Sequence, residues 1–175
     1  MKVKLPLLVI ILMINVSCQG QINKKDTSTI TTKFYKGVDT LSALTLNGKK
    51  YQNSRYTILH LLSKENEREQ LKVLKNSNLI ALIPLPISDE ELKNFSVNNI
   101  AETQNGFKID VSWGGGNYFY CREFHFIFQN ELFYLDNIKL SNYSQQSEKE
   151  INTINNVYPK VPIKKFNITT YLNNK

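Results

Sequence analysis

The sequence predicts an α+β domain, in which two or three helices pack on one face of an antiparallel sheet. Three observations support this fold class. Residues 107–140 alternate aromatic and polar side chains with the period of a β-strand. Residues 54–76 carry apolar side chains at helical spacing. Ser88 stands three residues before Glu91, which is the spacing of a helix capping box.

The first half of the domain is predicted to alternate strands and helices. The stretch 40–52 predicts a strand, a turn at Asn47-Gly48 and a second strand. A helix capped by Ser54 is expected to follow, because Ile58, Leu59 and Leu62 form an apolar stripe. The apolar run from Asn78 to Pro84 predicts a short buried strand. The capping box then predicts a short helix that ends near residue 95.

The second half is predicted to contain the core sheet. Residues 107–140 hold ten of the nineteen aromatic residues. Gly114 to Gly116 and Asn130-Glu131 divide this region into three strands, and such short connections predict an antiparallel meander. Residues 141–163 are expected to form a loop, and residues 164–172 a last strand.

The chain is predicted to have three parts. Residues 1–17 form a signal peptide, residues 18–32 a flexible polar tether and residues 33–175 a single globular domain. The apolar run that starts at Leu5 is about ten residues long, which is too short to span a membrane but typical of an export signal. The tether is rich in polar residues and lacks the apolar surface that folding requires.

The end of the signal indicates how the chain is processed. Asn15-Val16-Ser17-Cys18 resembles a bacterial lipobox. This resemblance covers residues 1–20 and implies that Cys18 receives a diacylglyceryl group and becomes the first residue. Acyl chains would then hold the protein on a membrane. An ordinary secretory cleavage after Gly20 is the alternative, since Asn15 stands where the lipobox has an aliphatic residue.

The same resemblance implies a location. In lipoproteins of Gram-negative bacteria an Asp after the cysteine favours retention in the inner membrane, whereas Gln19 occupies that position here. An outer-membrane location is therefore expected. The only other cysteine, Cys121, has no partner if Cys18 is lipidated, so the domain must fold without a disulfide.

The positive charge does not predict nucleic-acid binding. The formal net charge is +7, but export would remove the protein from nucleic acid, and the basic residues are mostly Lys, whereas base recognition favours Arg. After Glu150 the chain contains only basic charges, namely Lys160, Lys164, Lys165 and Lys175. This run is interpreted as a solvated surface, and contact with anionic lipid headgroups is the alternative.

The aromatic meander also contains the candidate binding residues. Cys121, Glu123 and His125 share one face of the second strand, because alternate residues of a strand point the same way. An extended strand holds Cys121 and His125 about 13 Å apart, so the three cannot form a nucleophile pair or a metal site by themselves. Trp113, beside the glycine turn, is either an exposed binding residue or part of the core. His60 is interpreted as a structural residue.

No catalytic residue, metal ligand or cofactor is predicted. The leading hypothesis is a non-catalytic binding or interaction module tethered to the cell envelope, with the membrane as one partner and a protein as another. One alternative is an inhibitor or immunity-type protein that neutralises an enzyme or a toxin. A hydrolase with an unrecognised site is the other alternative.

Overall fold

The computed structural model describes residues 37–172, which form nine antiparallel β-strands. Cys18, the signal peptide and the tether lie outside the described residues. The strands are β1 (Val38–Leu46), β2 (Tyr56–Ser63), β3 (Glu69–Lys75), β4 (Asn78–Pro84), β5 (Ser96–Thr103), β6 (Gly106–Gly115), β7 (Tyr118–Gln129), β8 (Leu132–Ser144) and β9 (Lys149–Pro162).

The strands form two separate sheets. The first has the order β1-β2-β3-β4 and the second the order β5-β6-β7-β8-β9. Every hydrogen-bonded pair joins strands that are neighbours in the chain, so each sheet is a simple meander. The connection from residue 85 to residue 95 carries the chain from the first sheet to the second.

The two sheets share one hydrophobic core. Phe107, Phe126 and Phe133 project from the second sheet and are fully buried or nearly so. The ring of Phe133 lies 5.1 Å from that of Tyr56, which comes from the first sheet, and the two rings meet edge to face. Large aromatic side chains bury the most apolar area per residue, so the sheet that carries them gains stability by being covered. The first sheet provides that cover.

The sheets are joined differently on their two sides. On one side the edge strands β1 and β5 lie next to each other. On the other side the C-terminal segment fills the space between the sheets with short 3-10 turns at Ile163–Lys165 and Ile168–Tyr171. Phe166 of this segment packs its ring 5.1 Å from Phe126 and 5.3 Å from Phe124. The C-terminus therefore completes the core.

The predicted α+β class is wrong, because residues 37–172 contain no α-helix and only 3-10 turns. The segment predicted as a helix over residues 54–76 forms the hairpin of β2 and β3. Its polar middle, residues 64–68, is the turn of that hairpin. The aromatic face of the second sheet is covered by another sheet and not by helices.

Four local predictions are also wrong. The second strand predicted after the turn at Asn47-Gly48 is absent from residues 49–52, where Lys49–Tyr51 form a 3-10 turn. Asp89 accepts hydrogen bonds from the backbone N–H groups of Glu91 and Leu92, so the predicted capping box forms a turn that no helix follows. Residues 149–162, expected as a loop, form the longest strand, and the expected last strand at residues 164–172 forms 3-10 turns. The meander over residues 107–140 is confirmed, with its turns where they were predicted.

No helix within residues 37–172 has the length and apolar character needed to cross a bilayer.

Candidate functional site

A cleft opens where the two sheets meet along β1 and β5. Its volume is about 520 Å³, and its lining includes Leu41, Ser42, His60, Glu69, Val97 and Ile100. Small-molecule sites in proteins commonly occupy between about 300 and 1,000 Å³. We call this feature the β1–β5 cleft.

Both edge strands bulge at the β1–β5 cleft. The register of β1 against β2 shifts between Thr40 and Ser42, and that of β5 against β6 shifts between Val97 and Asn99. A bulge bends its strand and leaves an extra residue without a ladder partner, and bulges often lie beside binding or active sites. The cleft is therefore formed by two local departures from regular pairing.

A histidine and a carboxylate meet at the floor of the cleft. His60 is 5% exposed and lies on the same face of β2 as Tyr56 and Ile58, the face that packs on the core. Its Nε2 is 2.6 Å from Oε2 of Glu69, whose side chain is 38% exposed. Since a buried polar group is costly without a partner, Glu69 stabilises His60 in this position.

The pair presents a defined chemistry to the cleft. One oxygen of Glu69 contacts His60, and the partly exposed carboxylate retains capacity to accept hydrogen bonds from a ligand. Val97 and Ile100 supply apolar contacts on the opposite wall. Ser42 lies opposite His60 in the β1–β2 register and is exposed. The cleft thus suits a small ligand that combines hydrogen-bond donors with an apolar side.

The predicted binding residues Cys121, Glu123 and His125 lie together on the outer face of the second sheet, away from the β1–β5 cleft. His125 Nε2 is 3.0 Å from Oε2 of Glu123, and Nζ of Lys108 is 3.2 Å from the same oxygen. Cys121 pairs in register with Ser112 on the same face. Among residues 37–172 no group of three or more His, Cys, Asp and Glu side chains is arranged to hold a metal ion.

The charges around Glu123 keep it ionised. Burial alone would raise the pKa of this carboxyl, but Lys108, His125 and Lys139 outweigh burial and hold its pKa below the usual value. The pKa of Lys108 is raised in turn, because Asp110 and Glu123 offset the effect of burial. Glu123, Lys108, His125, Lys139 and Asp110 therefore form a network of opposite charges on the outer face. Such ion-pair networks also occur on surfaces without catalytic function, so the shifted pKa values do not by themselves indicate a reactive group.

Trp113 lies on the opposite face from Cys121 and is 2% exposed, so it belongs to the core. Its ring stacks on Tyr120 with centroids 5.4 Å apart, and the guanidinium of Arg122 lies 4.9 Å from the Trp113 ring centroid. Arg122 is itself 1% exposed and donates a hydrogen bond of 2.7 Å to Oδ1 of Asn142. Burial lowers the pKa of Arg122.

Sequence reasoning missed Glu69 and Ser42 and gave His60 only a structural role. The signal that would have found the pair is the period of a strand. If residues 56–63 are assigned to a strand, His60 follows Tyr56 and Ile58 on one apolar face, where a polar side chain requires a partner. The helix prediction hid this pattern.

No protein-family model, curated protein or solved structure matches this chain.

Proposed function

We propose that this chain is a lipid-anchored binding domain of the bacterial cell envelope, and that its β1–β5 cleft takes up a small polar ligand. The export signal with its lipobox-like end supports the location. The buried His60, held by Glu69 at the floor of an open cleft, is the observation that supports the binding role. A polar pair on an otherwise apolar face has a cost in stability, and ligand binding is a reason to retain it.

The ligand class follows from the lining. The carboxylate of Glu69 accepts hydrogen bonds and carries negative charge, so the cleft favours a ligand with hydroxyl or ammonium donors. The apolar wall at Val97 and Ile100 favours a ligand with one carbon-rich side. Amino sugars combine both features, and glucosamine is a suitable probe.

We expect Glu69→Gln to weaken glucosamine binding by about tenfold, because a hydrogen bond to a charged group contributes roughly 1.5–3 kcal/mol and the amide removes the charge. The measurement is a titration followed through the backbone amide NMR signals of Ser42, His60 and Val97. Glu65→Gln is the matched control, since Glu65 is exposed on the adjacent turn.

Two results would contradict the cleft assignment. One is a titration in which signals far from the cleft shift and those of Ser42 and His60 do not. The other is equal binding by Glu69→Gln and the wild type. Turnover of an ester, peptide or glycan substrate that Ser42→Ala abolishes would replace the binding role by a hydrolytic one.

We expect Cys18→Ser to abolish incorporation of a labelled fatty acid fed to cells that express the chain. The thioether that carries the diacylglyceryl group cannot form without this thiol. Cys121→Ser is the matched control and should keep the full label, because Cys121 is part of β7 within the folded domain. An unlabelled wild-type chain, or label that persists in Cys18→Ser, would refute the anchor.

A further inference from the structure

The described domain has two ends, and its charges are divided between them. We call the end at which β1 begins the tether end; it contains Gly37 and the connections 64–68, 85–95, 116–117 and 145–148. We call the opposite end the far end; it contains residues 163–165 and the connections 47–55, 76–77, 104–105 and 130–131. Tyr51 and Tyr56 tie the far end together through hydrogen bonds of 2.9 Å to Glu102 and 3.0 Å to the carbonyl of Glu131. The backbone bond from Lys64 to Gly37 lies at the tether end.

The far end is basic. Its connections and the strand residues beside them carry six basic side chains and two acidic ones, Glu102 and Glu131. Each acid forms an ion pair there, Glu102 with Lys50 at 3.4 Å and Glu131 with Lys75 at 2.6 Å. The other four basic side chains are exposed and have no carboxylate partner among residues 37–172; they are Lys49, Arg55, Lys164 and Lys165.

The tether end is acidic. Asp39 and the segments 64–69, 85–95 and 145–150 together carry nine acidic side chains and four basic ones. Between Cys18 and Gly37 the sequence adds four basic residues and one acidic residue, Asp26. Within residues 37–172, a negatively charged surface would therefore repel the tether end and attract the far end. Such a division of charge orients a protein on a charged surface, and the effect is strongest at low salt.

We propose that the far end docks on an anionic bilayer surface, so that the domain lies with its basic end on the membrane to which it is anchored. This inference rests on the proposed lipid anchor at Cys18. The chain length permits the orientation. Gly37 follows Cys18 by nineteen residues, which span at most about 65 Å when fully extended. Strand β1, which runs from the tether end to the far end, rises about 30 Å over its nine residues.

The geometry adds a second consequence. With the far end on the membrane, the β1–β5 cleft opens laterally above the surface, because its lining residues lie in the middle and tether-end parts of β1, β2, β3 and β5. A ligand would then reach Glu69 without displacing the domain from the bilayer.

The experiment compares lysine acylation rates in the full exported chain, bound to vesicles of phosphatidylcholine with or without phosphatidylglycerol. On the anionic vesicles we expect Lys164 and Lys165 to be acylated about threefold more slowly than on the neutral vesicles, while the rates at Lys64 and Lys149 of the tether end stay the same. The reason is that each Lys or Arg near an anionic surface adds to binding, so the far end is held against the lipid. The protection should disappear in 1 M salt, where the Debye length is about 3 Å.

Charge reversal provides the matched test. Lys164→Glu with Lys165→Glu changes two exposed side chains, and circular dichroism should show an unchanged fold. We expect this variant to lose the protection of Lys49 on anionic vesicles. Vesicle-bound chain whose Lys164 reacts at the same rate on both lipids would overturn the docking while leaving the anchor intact.

Three further outcomes distinguish the lipid anchor from the docking of the far end, and a lipid surface from a soluble polyanion. Chain recovered free of vesicles would refute the anchor and, with it, the docking. Protection of Lys64 and Lys149 in place of Lys164 and Lys165 would show that the opposite end faces the membrane. Equal protection by heparin in solution would assign the far end to a soluble polyanion and overturn the assignment to lipid.

Discussion

Phe133→Ala is expected to lower the free energy of unfolding by about 3–5 kcal/mol, which is the usual cost of removing a buried phenylalanine ring. Phe133 is fully buried. Its ring centroid lies 4.9 Å from that of Phe107 in its own sheet and 5.1 Å from that of Tyr56 in the other sheet. Loss of the ring leaves a cavity at the point where the two sheets meet, and a rigid core closes such a cavity only in part.

Chemical denaturation followed by tryptophan fluorescence measures this effect, since Trp113 is buried in the same core. Phe119→Ala is the matched control. Phe119 is 47% exposed, and its loss should change the free energy of unfolding by less than about 1 kcal/mol. Equal destabilisation by the two substitutions would show that the two sheets do not share one hydrophobic core.

Gly106→Ala is expected to lower the free energy of unfolding by about 3 kcal/mol, because the added methyl group has no space. Gly106 begins β6, and a Cβ at this position would overlap the backbone carbonyl oxygen of Phe126 on the neighbouring strand. A backbone atom within a sheet cannot move aside as the end of a flexible side chain can. The strands must separate locally, which weakens the pairing of β6 with β7.

Gly116→Ala separates this steric effect from the loss of a glycine as such. Gly116 has a φ of +63° in the turn between β6 and β7, and a Cβ there would meet nothing within 4 Å. Gly116→Ala should lower the free energy of unfolding by about 1 kcal/mol, because alanine adopts the left-handed conformation less readily than glycine. Thermal unfolding of both variants gives the comparison. A smaller effect at Gly106 than at Gly116 would contradict the close approach of β6 and β7.

The aromatic meander could be predicted because each of its strands buries one face. Phe107, Ile109 and Val111 alternate with polar residues, so burial left a clear period of two in the sequence. Strand β2 left no such period. Ile58, Leu59 and Leu61 are all buried, so the strand is apolar on both faces and its residues fit a helical stripe equally well.

Strand β9 was missed for the opposite reason. Nearly all of its residues are exposed, including Ile151 and Ile154, so burial imposed no alternation on its sequence. Its strand conformation comes from backbone pairing with β8, which depends on the tertiary structure and not on local preference.

For the candidate site, too, some features could be predicted from the sequence and others required the tertiary structure. The shared face of Cys121, Glu123 and His125 followed from strand period alone and is confirmed. The contact of His60 with Glu69 joins residues nine positions apart across a hairpin, so it requires the register of β2 against β3. The charged ends likewise appear only when the order of the strands is known, since their members come from separate turns.

The meander connectivity has a consequence for how the polypeptide acquires its structure. Because every hydrogen-bonded pair joins consecutive strands, each pairing step closes a short loop and needs no distant segment to be in place. Low sequence separation between partners accelerates folding among all-β proteins. A chain that is released from its N-terminus onward, as during synthesis, can therefore add strands one at a time, and Phe166 with the residues that follow it packs on the core last.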